Sequence, residues 1–158
     1  MKRTSHFTLI ELLAVIGIIA ILASITVGGF GYASRRADAA KTQAIMEEFT
    51  MALEAFKQDR GYYPIMKTAG DVNFQDDAWK TFMKGHSKTG KPYMQNLTPD
   101  DGDLEDAYGK ALQYQCPGTH NKESFDLWSK GPDKNNGDKK DSSSEAGDGD
   151  DICNWKQN

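Results

Sequence analysis

Hydrophobic positions along the chain fall into three regimes. Residues 12–30 are almost wholly apolar, and no charged residue occurs between Glu11 and Arg35. A helix rising ~1.5 Å per residue needs roughly 20 such residues to cross a hydrocarbon core, so this stretch predicts a membrane-spanning helix. Past Gly28, Gly29 and Gly31 the pattern becomes amphipathic. Ala33, Ala37, Ala40, Ala44, Ile45, Phe49, Ala52, Leu53 and Phe56 recur at steps of three and four, with Arg35, Arg36, Lys41, Glu47, Glu48 and Lys57 largely on the remaining surface. Gly61 and Pro64 stop the helix. A continuous helix over residues 8–60 would be ~80 Å long. Its three glycines, each ~1 kcal/mol less favourable than Ala, mark a place for a bend or partial melting. The apolar stripe is Ala-rich, irregular and shorter than four heptads, so packing on a small sheet is expected over a coiled-coil stalk.

The third regime is mixed. Asp71-Val72-Asn73 followed by residues 74–83 predicts a capped short helix with Phe74, Ala78, Phe82 and Trp79 on its inner face. Residues 87–106 read as loop, punctuated by Gly90, Pro92, Pro99 and Gly102. Residues 111–116 and 124–129 read as strands, with 117–122 as the turn between them. The expected fold class is α+β: a long N-terminal helix, membrane-spanning in its first half, packed on a small antiparallel sheet. The expected organisation is a cytoplasmic leader at 1–6, a transmembrane half-helix at 7–30, an amphipathic half-helix at 31–60, and an extracytoplasmic globular region at 61–158 that carries an acidic C-terminal loop.

Charge separates in the same way. Residues 1–60 hold seven Lys/Arg and six Asp/Glu, a net +1, whereas residues 61–158 hold twelve and seventeen, a net −5. An acidic outer portion argues against nucleic-acid binding, which shows a basic face. Lys2 and Arg3 precede the apolar run, so the positive-inside rule leaves the N-terminus cytoplasmic and exports the rest of the chain.

The N-terminus is not an ordinary secretory signal. Such a signal has an apolar run of about 7–15 residues and a small-residue cleavage site after it; here the run is longer and no A-x-A pattern follows. Glu11 puts a carboxylate near the start of an apolar helix, where it is costly without a partner. One reading makes it the interfacial end of a signal anchor. The other comes from the whole string Phe7-Thr8-Leu9-Ile10-Glu11-Leu12-Leu13 and the apolar run to Ala23, which resembles the class III signal of type IV pilins and pseudopilins. That resemblance implies a pilin-like fold, cleavage by a prepilin peptidase before Phe7, and N-methylation of the new terminus. It also implies that Glu11 attracts the N-terminal ammonium of a neighbouring subunit during assembly, a pairing that would compensate a buried carboxylate. His6 departs from the pattern, because the family has Gly before the cut.

Four further segments resemble the major pseudopilins of type II secretion systems. They are Arg60-Gly61-Tyr62-Tyr63-Pro64 at the helix exit, residues 106–114, the Phe125-Asp126-Leu127-Trp128-Ser129-Lys130-Gly131-Pro132-Asp133 run, and the closing Asp150-Asp151-Ile152-Cys153-Asn154-Trp155. In the second segment Ala107, Tyr108 and Ala111 replace the family's Pro, Trp and Pro. The resemblance implies an inner-membrane, single-pass subunit that assembles into a homo-oligomeric filament. Its partners would be the secretion system's inner-membrane platform and minor pseudopilins.

Between residues 133 and 151, Asp133, Asp138, Asp141, Glu145, Asp148, Asp150 and Asp151 alternate with Gly137, Gly147 and Gly149. By composition this is either a solvated acidic loop or a set of hard oxygen donors suited to Ca2+. It is not an EF-hand, since counting from Asp133 places Asp138 where the glycine belongs and Ser144 at the bidentate glutamate. The pseudopilin resemblance implies calcium held by Asp133, the carbonyls of Lys130 and Asn135, and Asp148 and Asp150, with Asp151 as a substitute. Cys116 and Cys153 flank this loop, separated by nearly forty residues. A disulfide between them would add about 3–4 kcal/mol in the chain-entropy model and would persist outside the cytoplasm. A bridge is expected, two unbridged thiols being the alternative.

The rival function class is a membrane-tethered enzyme. His86 and His120 lie in polar loops without metal-motif spacing, and neither a G-x-S-x-G nor a P-loop occurs. No catalytic residue is assigned. The expectation is a major pseudopilin, with a type IV pilus or minor pseudopilin subunit as the alternative.

Overall fold

The computed structural model describes residues 8–95, 102–136 and 150–156, with the side chains of 25–32 outside the description. Two compact units divide the chain, Met1–Ala37 and Asp38–Asn158. The helix α1 (Leu9–Arg60) runs through both, and its helical assignment continues unbroken across Gly28, Gly29 and Gly31. Then follow β1 (Met66–Asp71), a 3-10 turn (Asp77–Trp79), α2 (Lys80–Met83), β2 (Gln113–Cys116), β3 (Asp126–Ser129) and β4 (Ile152–Cys153).

In the first unit the large apolar side chains from Leu9 to Leu22 stand out from the helix, between 50% and 89% exposed. Among the described residues no helix is long and apolar enough to cross a membrane. The described apolar side chains stop at Ser24, short of the roughly 20 residues a span requires. The expected span of residues 7–30 therefore lies partly outside the description.

In the second unit the α1 side chains Met46, Phe49, Ala52, Leu53 and Phe56 are buried against the sheet and the 3-10/α2 segment. The predicted stripe is right from Ile45 onward and wrong before it. Ala33, Ala37, Ala40 and Ala44 are exposed, while Thr42 is fully buried. The inner face follows the 42-45/46-49-52/53-56 steps, and Thr42 is admitted because its Oγ1 accepts the Ala107 N–H at 3.2 Å, leaving no orphan hydroxyl.

All neighbours in the sheet are antiparallel, in the order β1-β2-β3-β4. Tyr114 pairs with Leu127, and Trp128 with Cys153. The β2–β3 hairpin matches the sequence expectation, although each strand begins two residues later than predicted. β1 and β4 were not foreseen. The predicted helix at 74–83 is also shorter than expected. Asn73 Oδ1 accepts the Gln75 N–H at 2.9 Å and so makes a side-chain turn instead of a cap; the helical turns begin only at Asp77. Phe74, Trp79 and Phe82 nevertheless all lie in the core. Phe49 meets all three rings at 5.5–6.1 Å, the range in which edge-on aromatic pairs attract.

Candidate functional site

At the start of α1, Thr8 and Glu11 form a reciprocal cap. The Thr8 N–H and Oγ1–H donate to Glu11 Oε2 at 2.9 and 2.8 Å, and the Glu11 N–H donates to Thr8 Oγ1 at 3.3 Å. This is a capping box, a Ser/Thr followed three residues later by Glu. Its signal is legible in Thr8-Leu9-Ile10-Glu11, where the unusual depth of Glu11 draws attention away from it. Within the single chain Glu11 thus has a partner of its own. His6 and Phe7 lie outside the described residues.

The acidic turn grows out of β3. After Ser129 the chain turns through Lys130, Gly131 (φ +61) and Pro132 to Asp133, and Lys134 holds φ 65. The Lys134 N–H closes the turn on the Gly131 carbonyl at 3.2 Å. Asp133 Oδ1 accepts the Asn135 N–H at 2.8 Å, and Asn135 Nδ2 donates to the Asp133 carbonyl at 3.0 Å. Trp128 Nε1 donates to Asn136 Oδ1 at 3.0 Å, so the indole on β3 holds the outgoing chain.

The returning tail meets this turn at Gly131. A Cβ there would stand 2.4 Å from the Asp150 carbonyl oxygen, so only glycine lets the two backbones approach. Asp150 Oδ2 accepts the Asp133 N–H at 3.3 Å. The structure therefore brings Asp133 and Asp150 together, with Lys130 and Asn135 beside them in the same turn and half-buried Asp151 next along the tail. Asp148 lies outside the described residues, as do Asp138, Asp141 and Glu145. Among the described residues no group of three or more His, Cys, Asp or Glu side chains could hold a metal. The donor chemistry nonetheless fits Ca2+, because carboxylate and carbonyl oxygens are what a hard cation takes. Beside the turn, burial first, and then the negative charges of Asp38, Asp106 and Asp150, push the Tyr108 phenol above its ordinary value.

A latch fixes the tail. The Asn154 N–H donates to the Leu127 carbonyl at 3.0 Å, and Asn154 Oδ1 accepts the Leu127 N–H at 3.0 Å. Asn154 Nδ2 donates to the Phe125 carbonyl at 3.1 Å. Trp155 stacks on His120 at 4.3 Å with 5° between the planes, and meets Trp128 edge-on at 5.7 Å. Asp126, 2% exposed, holds the other side of this loop by accepting the His120 and Asn121 N–H groups at 2.8 and 2.9 Å. His120 Nδ1 lies 3.2 Å from Asp126 Oδ2, so His120 is not the idle loop residue its sequence context suggests.

The expected disulfide is not formed. Cys116 and Cys153 are both free, and β3 stands between their strands. Two strand spacings put the strands about 10 Å apart, beyond the ~7 Å Cα limit for a bridge. Cys116 donates its S–H toward the Ser124 carbonyl at 3.6 Å. Cys153 lines an open groove of about 730 Å³ with Met46, Glu47, Met51 and Ile152.

A long N-terminal helix with an outward apolar start, packed further along on a small antiparallel sheet, defines a pilin-like architecture. The chain belongs to the family described as "Type II secretion system (T2SS), protein G", whose sequence profile matches residues 31–155. The type II secretion system core protein G of Aeromonas hydrophila is 29% identical over 154 residues, covering 98% of this chain and 94% of the relative. That of Escherichia coli (strain K12) is 29% identical over 149 residues, covering 94% and 89%. The crystal structure of the major pseudopilin from the type 2 secretion system of enterohaemorrhagic Escherichia coli aligns with a TM-score of 0.43 at 22% identity, over 80% of this chain and 93% of that one.

Proposed function

We propose that this chain is the major structural subunit of a type II secretion pseudopilus. It is held in the inner membrane as a single-pass protein with its N-terminus in the cytoplasm, and is drawn from there into a homo-oligomeric helical filament. The family is one of structural pseudopilins, so the role needs no catalytic residues. The observation that carries the reading is the outward apolar surface of α1 from Leu9 to Leu22. At about 25 cal/mol per Å² that surface demands lipid in the stored subunit and like helices in the assembled one. Processing by a prepilin peptidase between His6 and Phe7, N-methylation, and contacts with the inner-membrane platform and minor pseudopilins belong to the same proposal.

Glu11 would leave its capping box to pair with a neighbour's terminal ammonium, exchanging hydrogen bonds from the uncharged Thr8 donors for an ion pair in which both partners are charged. Calcium would bind at the acidic turn through Asp133, Asp150 and the carbonyls of Lys130 and Asn135, with Asp148 or Asp151 completing the set. There it would offset the repulsion of converging carboxylates and hold the tail to β3.

The test is co-expression of the full chain with its peptidase and assembly platform, followed by N-terminal peptide mass and surface-filament yield. The expected result is a methylated peptide starting at Phe7, filaments from the native chain, and at least a tenfold loss of filaments for Glu11→Ala. Normal filament yield from Glu11→Ala would refute the docking role. An unprocessed chain that forms no filaments would refute the subunit reading.

A further inference from the structure

A buried carboxylate lies one hydroxyl away from the acidic turn without belonging to it. Asp106 is 6% exposed. Its Oδ1 accepts the Tyr108 and Lys110 N–H groups at 2.8 and 3.0 Å, while its Oδ2 accepts the Ser129 Oγ–H at 2.6 Å. Ser129, fully buried at the end of β3, accepts the Gly131 N–H on the same Oγ at 3.0 Å. The hydroxyl proton is thus committed to Asp106, which orients the oxygen's lone pairs toward Gly131. Gly131 is the residue on which the Asp150 backbone rests, and Asp150 in turn accepts from Asp133. At its other end the network reaches α1, because Thr42 Oγ1 accepts the N–H of Ala107, next to Asp106.

We propose that Asp106 and Ser129 are positioning residues for the cation site: through the Ser129 hydroxyl, Asp106 fixes the Gly131 backbone so that Asp133 and Asp150 converge on one ion. This inference rests on the calcium reading given above and extends it to residues that donate nothing to the ion. The physical reason is that the turn and the tail meet through the Asp133 N–H on Asp150 Oδ2, while two carboxylates turned onto one point would repel each other until a cation arrives. A turn that presents them must be held by bonds independent of the ion, and groups that orient metal ligands change metal affinity by about 10–100-fold when removed. The 106–110 turn and Thr42 supply that independent hold, so calcium at the tail and the packing of α1 at Thr42 share one hydrogen-bonded path.

The test is calcium titration of the EGTA-stripped full-length chain in detergent by calorimetry, with Trp128 fluorescence as a second signal because its indole is bonded to Asn136. Four proteins are compared: native, Ser129→Ala, Asp106→Asn and Phe82→Leu. Asp106→Asn keeps the shape but turns an acceptor of the Ser129 proton into a competing donor. Phe82→Leu weakens the core far from the turn and controls for general destabilisation. All four are measured at a temperature where circular dichroism shows them folded.

The expected result is a Kd raised about tenfold or more in Ser129→Ala and Asp106→Asn, with Phe82→Leu within twofold of native. Native-like affinity in Ser129→Ala and Asp106→Asn overturns the positioning role and leaves the calcium reading standing. An equal loss in Phe82→Leu also overturns it, by reducing the effect to stability. No calcium binding by the native chain overturns the calcium reading and this inference together.

Discussion

Replacing Asn154 with alanine isolates what holds the C-terminal tail. The side chain makes three hydrogen bonds: it accepts from the Leu127 N–H at 3.0 Å, donates to the Phe125 carbonyl at 3.1 Å, and accepts from Asn121 Nδ2 at 3.4 Å. A typical bond contributes about 1 kcal/mol net, and a buried donor left unpaired costs about 1–3 kcal/mol. The Asn121 contact is long and exposed and adds little. Leu127 itself is fully buried, but Asn154 lies at the surface, so water reaches part of what the truncation uncovers. The sum is about 2 kcal/mol. For a chain of this size that corresponds to about 4–8 °C in Tm.

The assay is urea unfolding of the calcium-free chain in detergent, followed by far-UV circular dichroism, with amide hydrogen exchange at Leu127 as the local signal. The calcium-free condition matters because a ligand that binds only the folded chain would mask part of the loss by mass action. The expected outcome is a lower midpoint with unchanged slope, together with faster Leu127 exchange. A loss below about 0.5 kcal/mol with native Leu127 protection would refute the latch as an energetic element.

Two further outcomes follow from the described contacts. The buried Asp59 side chain, 5% exposed, would be raised by its burial, but hydrogen bonds from Ser87 and Tyr93 and the charge of His86 outweigh this and hold it far below the usual carboxylate range. A depressed folded value means stability that is present above the unfolded value of ~3.9 and lost as pH falls below it; urea midpoints between pH 7 and pH 3 should therefore fall less steeply in Asp59→Asn than in native, and parallel curves would contradict this. Because Cys116 and Cys153 are free, a reductant should leave the thermal midpoint unchanged, and a drop on adding dithiothreitol would show a bridge after all.

How much of this was legible depended on how local each feature is. The apolar run after Glu11, the 49-52/53-56 face of α1 and the β2–β3 hairpin all carry their signal within one element, and all were read. β4 is two residues long, shorter than any periodicity can show, and exists because Asn154 and Trp155 anchor it. β1 hid because Met66–Asp71 contains Lys, Thr, Gly and Asp and is exposed along much of its length, so it shows no apolar alternation. Thr42 was invisible for a different reason: a polar residue on an inner face is explained only by its partner, the Ala107 N–H, sixty-five positions away. The cysteine pairing failed because spacing along the chain says nothing about the strand that comes between.

The acidic segment shows where composition stops and topology begins. Its aspartates are conspicuous in the sequence, yet the contact that gives them meaning is Asp150 lying on Gly131, and that depends on residues chosen for other reasons. Asn154 must reach Leu127 to set the tail's register, Trp155 must stack on His120, and Ser129 must carry the hold of Asp106 to the turn. A loop with the same aspartates and no latch would be a solvated charge cluster, since like charges at high dielectric have no reason to converge. On the calcium proposal the tail after the loop sets the geometry of the turn, so Asn154→Ala should weaken calcium binding in calorimetry although Asn154 is not among the proposed ligands, and native-like affinity would refute that dependence.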